Sequence, residues 1–157
     1  MSTALSIYRR MERLPLGKYF FSRILCLKAP YFGTIRPRFI ELRPGYGEIG
    51  MKKRRRVLNH LGTVHALAMG NLCELVAGMT LDVTLPGALR WIPVSMNIEY
   101  LKLAKTALKA VCEIPSASVS MPGDHTVQVS VTDTSGTKVV RAAITMRVST
   151  KTTRKDP

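Results

Sequence analysis

Three regimes of apolar spacing succeed one another along the chain. In residues 4–14, Ile7, Tyr8, Met11 and Leu14 recur at helical spacing with Arg9, Arg10 and Arg13 between them, and Pro15-Leu16-Gly17 ends the helix. Residues 18–28 predict a second short amphipathic helix carrying Phe20, Phe21, Ile24 and Leu25, stopped by Pro30. From Thr34 the period shortens, and segments 34–43 and 46–53 predict two strands joined across Pro44-Gly45. Residues 63–80 then predict one helix, with Thr63 as N-cap and Gly78 near its end. Val64, Leu67, Met69, Leu72, Leu75, Val76 and Met79 surround that helix, and a helix apolar on all sides is a buried one. Beyond it the alternation is strand-like: Val94, Met96, Ile98 and Tyr100; Leu108, Ala110, Cys112 and Ile114; Val127, Val129 and Val131. After a turn at Ser135-Gly136 come Val140, Ala142, Ile144, Met146 and Val148.

Two strands, a buried helix and four strands make an α+β layout: an antiparallel sheet of about six strands wrapped around one long central helix, with short helices in front. Such a sheet covers a helix on one side only, so burial alone predicts a second copy on the other, a homodimer or a dimer of dimers. The expected division is a helical extension over 1–33, the main domain over 34–149, and a flexible basic tail over 150–157.

Composition adds an asymmetry of charge. The net charge is +14, and residues 1–56 hold 14 Lys+Arg against 3 acids. A field of that sign attracts nucleic acid, anionic lipid or a phosphorylated ligand. Sparse aromatics (6%) weigh against single-stranded nucleic acid. No run reaches the roughly 18 uninterrupted apolar residues of a spanning helix. The most apolar N-terminal piece, Tyr19–Leu27, is broken by Arg23 and followed by no small-residue cleavage site, so no secretory signal is expected. Nucleic-acid binding and stable membrane association are not expected, and packing of the N-terminal helices on the sheet edge is. Cys26, Cys73 and Cys112 fit neither a zinc nor a C-x-x-C redox pattern, which predicts free thiols in a reducing cytoplasm.

Glu74 is the residue with most chemical content. It interrupts an apolar helix, where an ionised carboxylate needs a reason to be. It is either a base or nucleophile in a substrate pocket, or a carboxylate that pairs with a lysine or arginine or reaches water at the helix edge. His65 and Ala66 open the same helix, where free amides and the positive end of the dipole can receive an oxyanion, and His65 either adds a donor there or simply caps or packs at the helix start. Asn59, in the preceding loop, can hold a water or a carbonyl. His60 and His65 lack the spacing of a metal pair, and no metal site is expected. His65 and Glu74 are nine residues apart, roughly 13 Å along a helix. One reacting carbon can meet both only if the two come from different subunits. The run Lys52-Lys53-Arg54-Arg55-Arg56 is either a phosphate-binding stretch or a solvated strand end.

Asn59-x-x-Gly62-Thr63-x-His65-Ala66, followed by Glu74, resembles the hotdog-fold thioesterases of the phenylacetyl-CoA (PaaI) type in motif and in both spacings. Val94 to Leu101 followed by Ala104-Lys105 is similar to that family's strand after the helix. Lys28-Ala-Pro-Tyr-Phe-Gly-Thr34, the basic run and Asn59-His60-Leu61-Gly62-Thr63-Val64-His65-Ala66 together resemble a bacterial hotdog family of unknown function over nearly the whole chain.

The resemblance implies a hotdog fold and acyl-CoA hydrolysis across a dimer, with coenzyme A as part of the substrate and no further cofactor. Glu74 would be the base or nucleophile, the Ala66 amide the oxyanion donor, and Asn59 and His65 the orienting groups. Lys52, Lys53, Arg54, Arg55, Arg56 and Lys105 would meet the phosphates of coenzyme A. Two departures stand out. Ala66-Leu67 replaces the family's Gly-Gly, and Pro93 stands where some relatives place a serine or threonine, with Ser95 on the opposite strand face. The alternative is a hotdog protein that binds acyl-CoA without hydrolysing it.

Overall fold

The computed structural model describes residues 2–151. Two helices come first, α1 (Thr3–Met11) and α2 (Gly17–Lys28), followed by a 3-10 turn over Pro30–Ile35. Strands β1 (Arg38–Arg43) and β2 (Tyr46–Met51) lead to helix α3 (Ala66–Thr84). Four strands complete the chain: β3 (Leu89–Tyr100), β4 (Leu108–Glu113), β5 (Gly123–Asp133) and β6 (Lys138–Thr150). They form one antiparallel sheet in the order β1-β2-β4-β5-β6-β3. The basic tail expected over 150–157 lies, from residue 152 onward, outside the described residues.

The register explains how the sheet accepts the helix. Gly47 pairs with Cys112, Cys112 with Val129, Val129 with Ala142 and Ala142 with Ile98. This row, which starts from a glycine, crosses the sheet beneath α3. At its end a Cβ on Gly47 would lie 2.0 Å from the Thr80 hydroxyl, so only glycine lets the helix settle that close. Leu72, Leu75, Val76 and Leu81 fill the trough from the helix side and are fully buried. By length and composition α3 would suffice to cross a membrane, but most of it is buried against the sheet.

Some predicted boundaries shift, for local reasons. The first strand begins at Arg38 rather than Thr34, because the 3-10 turn and Arg36, at φ +48°, redirect the chain before Pro37. The central helix begins at Ala66 with His65 as N-cap, not at Thr63. It continues past Gly78 to Thr84. Gly78 is a seat for an aromatic ring and not a stop: a Cβ there would come within 2.4 Å of the Trp91 indole.

A bulge between Pro93 and Ser95 changes which side chains of β3 face the helix. Trp91 and Pro93 share a face with Val148 and Met146, and Met96, Ile98 and Tyr100 share it with Ile144, Ala142 and Val140. Val94 is the extra residue, and Ser95 pairs with Thr145 on the outer face. The N-terminal helices pack on β1 through an edge-to-face cluster, with Tyr8 to Phe21 at 5.1 Å and Phe21 to Phe39 at 5.0 Å.

Candidate active site

The segment before α3 is pinned at both ends. Leu58 and Val64 form an antiparallel bridge. The Val64 amide donates to the Ala104 carbonyl and the His65 amide to the Val57 carbonyl, each at 2.8 Å. Asn59 closes the loop between them. Its Oδ1 accepts from the amides of Leu61 (3.0 Å) and Thr63 (3.1 Å), and its Nδ2 donates to the Thr63 hydroxyl at 2.9 Å. Gly62, at φ +70°, makes the turn. The Thr63 hydroxyl is spent on Asn59, and its backbone is held by the same loop, so the helix cap passes to His65.

His65 caps with its ring. Nδ1 accepts from the Leu67 amide at 3.1 Å. An accepting Nδ1 places the proton of the neutral ring on Nε2, on an exposed side chain. The His65 carbonyl takes the amides of Ala68 and Met69. Of the first four helical amides, Ala66's alone has no partner among the described residues. The start of α3 thus presents one open N–H at the positive end of the dipole, beside an imidazole donor.

Glu74 lies on the α3 face that β3 crosses. Gly70 and Gly78, one turn to either side, make the tight contacts: a Cβ on Gly70 would meet Ile98 at 3.1 Å. Glu74 is half-buried between them, and no hydrogen bond or ion pair engages it among the described residues. No lysine or arginine among the described residues therefore forms an ion pair with it. Along the helix it remains roughly 13 Å from His65, so one chain does not unite the two.

Asn71 is a site residue that the sequence reading missed. It is 6% exposed. Its Nδ2 donates to the Tyr31 carbonyl (3.3 Å) and the Thr34 hydroxyl (3.2 Å), while its Oδ1 is buried without a partner. It lines a cavity of about 200 Å³ with Tyr31, Thr34, Arg56, His65 and Leu67. The signal was available, since Asn71 is a second polar interruption of the same apolar helix.

The basic run does not act as one surface. Arg56 lines the helix-start cavity, whereas Lys52 and Arg54 line a separate one with Arg23, Arg36 and Arg38. Lys53 and Arg55 are exposed and line neither. Lys105 is exposed and follows Ala104, whose carbonyl holds Val64, so it emerges beside the helix start. Burial pushes the Cys73 and Cys112 thiols up to about 12, which makes them inert and not nucleophiles. Among the described residues no three His, Cys, Asp or Glu side chains gather as a metal site would require.

One side of this region has no cover among the described residues. β3 is an edge strand, and Ile92, Val94, Met96 and Tyr100 are exposed along it. Leu67, at the start of α3, is 69% exposed.

The fold has counterparts among known proteins. The model of a domain of unknown function, DUF4442, matches residues 17–148. A solved structural-genomics target designated APC5556 is 39% identical, with a TM-score of 0.85 over 94% of this chain and 99% of that one. A Pseudomonas aeruginosa protein of unknown function, described as a probable thioesterase, is 19% identical, with a TM-score of 0.76 over 88% and 97%. A hypothetical thioesterase from Streptococcus pneumoniae, solved with coenzyme A, is 22% identical, with a TM-score of 0.63 over 73% and 90%. No curated protein matches significantly. The architecture is the hotdog fold, shared with structural neighbours described as thioesterases.

Proposed function

The chain belongs to the DUF4442 family, and from that premise we propose that it hydrolyses acyl-CoA thioesters at two equivalent sites built across a homodimer. The observation that carries this reading is the open Ala66 amide beside the free Nε2–H of His65, on the same helix as an unpaired Glu74. A thioester carbonyl needs a donor for its developing oxyanion and a base for the attacking water. This chain supplies both, too far apart to share one carbonyl unless two helices lie side by side in opposite directions.

The uncovered β3 edge and Leu67 supply the surface for that arrangement. In the dimer, Glu74 of one subunit takes the proton of water while the partner's helix start polarises the carbonyl, and the thiolate of coenzyme A leaves. Asn59, whose side chain closes its own loop, acts by holding His65 and Ala66 in place. Arg56 and Lys105, at the same end of the helix, are placed to meet phosphate, with Lys52, Lys53, Arg54 and Arg55 as the wider positive field. A structural neighbour solved with coenzyme A supports this substrate class. Free thiols at Cys26, Cys73 and Cys112 fit a cytoplasmic setting.

The competing reading is acyl-CoA binding without turnover. Leu67 favours it, because its side chain stands where the thioesterases it resembles have glycine. A thiol-release assay over short, long and aromatic acyl-CoAs separates the two. Glu74→Gln keeps the shape and removes the base, so hydrolysis should fall by about 10²–10⁴-fold. Undiminished hydrolysis in Glu74→Gln would exclude Glu74 as the base. Saturable binding with no hydrolysis by the unaltered protein would leave the binding reading.

A further inference from the structure

Helix α2 has two apolar faces, and the described residues cover only one. At about 100° per residue, Tyr19, Phe20, Ile24 and Leu27 fall within an arc of about 140°, with Leu16 exposed just before the helix. Phe21, Ser22 and Leu25 occupy the opposite side and pack inward on β1 and the core. The first group stands in solvent, with Phe20 52% and Leu27 82% exposed. The single apolar face expected of Phe20, Phe21, Ile24 and Leu25 is divided in the structure: Phe21 and Leu25 turn in, while Phe20 and Ile24 turn out.

Beside this ridge lies a basin of about 340 Å³ lined by Tyr19, Arg23, Arg36, Arg38, Lys52 and Arg54. Five of the six lining side chains are cations and none is a carboxylate. Tyr19 and Arg23 belong to α2, so basin and ridge are continuous, with the Arg23 guanidinium 5.5 Å from the Tyr19 ring. The buried Nε atoms of both Arg23 and Arg54 lack a hydrogen-bond partner. Burial, then repulsion from Arg36, Arg56 and Arg23, holds the Arg54 guanidinium below its usual value. Both guanidiniums also donate to backbone carbonyls, Arg23 to Pro37 and Arg54 to Thr34, and five cations around one basin with no carboxylate in its lining favour an anion there.

We propose that α2 and this basin form a reversible docking surface for an anionic lipid bilayer, the ridge entering the headgroup boundary and the basin receiving lipid phosphate. A neighbouring ring of cations and exposed leucine, isoleucine, phenylalanine and tyrosine is the composition of an interfacial helix. A second copy would bring an equal cluster of positive charge against this one. A nucleic acid would meet the phosphate requirement and leave the aliphatic ridge in water. The surface lies at the β1 edge, away from β3 and Glu74, and does not depend on the proposed hydrolysis.

The test is co-sedimentation of the full chain with vesicles of phosphatidylglycerol and phosphatidylcholine in equal parts, beside vesicles of phosphatidylcholine alone. Binding should require the anionic lipid and weaken with salt. Each cation removed should cost roughly five-fold, so Arg36→Gln with Arg38→Gln should bind about 25-fold more weakly. Phe20→Ser with Leu27→Ser, both exposed, should fold normally and bind at least about ten-fold more weakly. Equal binding to both vesicles, or no binding to the anionic ones at low salt, would overturn the proposal. So would variants that bind like the parent, a Phe20→Ser/Leu27→Ser protein with an altered oligomeric size, or uptake of inorganic pyrophosphate without vesicle binding.

Discussion

If each site is shared between subunits, two inactive variants should restore each other. Ala66→Pro is the sharp perturbation. Ala66 is the first residue of α3, a position where proline is tolerated because the amide makes no helical bond. Its predecessor His65 sits at φ −64° and ψ 140°, the extended conformation that a following proline requires. The variant therefore removes one N–H, which has no partner among the described residues, and leaves the helix intact. Loss of one oxyanion donor should lower kcat by about 10²–10³-fold, whereas Ala66→Gly, which keeps the amide, should retain activity. Mixing Ala66→Pro with Glu74→Ala under conditions that exchange subunits makes about half the dimers mixed, each with one intact site of two. Thiol release should then recover to about a quarter of the parent rate. Each variant alone should stay inactive. No recovery in verified mixed dimers would refute a site built from two chains, and full activity in Ala66→Pro would remove the amide from the chemistry.

Two further outcomes test the scaffold. Gly78→Ala places a methyl 2.4 Å from the Trp91 ring and should cost about 1–3 kcal/mol, with the melting temperature falling about 2–4 °C per kcal/mol; Trp91→Leu in the same chain should recover part of the loss, and an unchanged melting curve for Gly78→Ala would contradict the packing. Burial raises the Cys73 and Cys112 thiols from 9.0 to about 12, so the stability gained by keeping them neutral is complete below about pH 9 and lost as pH rises toward 12. At pH 8 a thiol reagent should therefore label the partly exposed Cys26 first and reach the other two only on unfolding; equal rates for all three in the native protein would refute it.

Periodicity alone carried the order of elements, because each element here buries a face whose period survives in the sequence. The α3 run is apolar all round, and Val140 to Val148 alternate without interruption, so both read correctly. Where a polar or special backbone contact competed with the pattern, the reading failed. Thr63 resembles an N-cap in sequence but is held by Asn59, fifteen residues before Glu74, in a loop that periodicity does not describe. The bulge at Val94 likewise keeps the apolar alternation while changing the faces.

What the sequence by itself determined is the fold, the helix that bears Glu74, and the separation that keeps His65 from reaching it. These follow from spacing along one element, which is a local property. Tertiary structure decided the rest. It left the Ala66 amide as the open donor, because the His65 ring consumed its neighbour's, and brought Asn71 to Tyr31 and Thr34 across the gap between α3 and the 3-10 turn. It also split the basic run, sending Arg56 to one cavity and Lys52 and Arg54 to another with Arg23, Arg36 and Arg38. Side chains alternate along extended backbone, and which of them meet residues distant in sequence depends on how the sheet and the N-terminal helices close around α3.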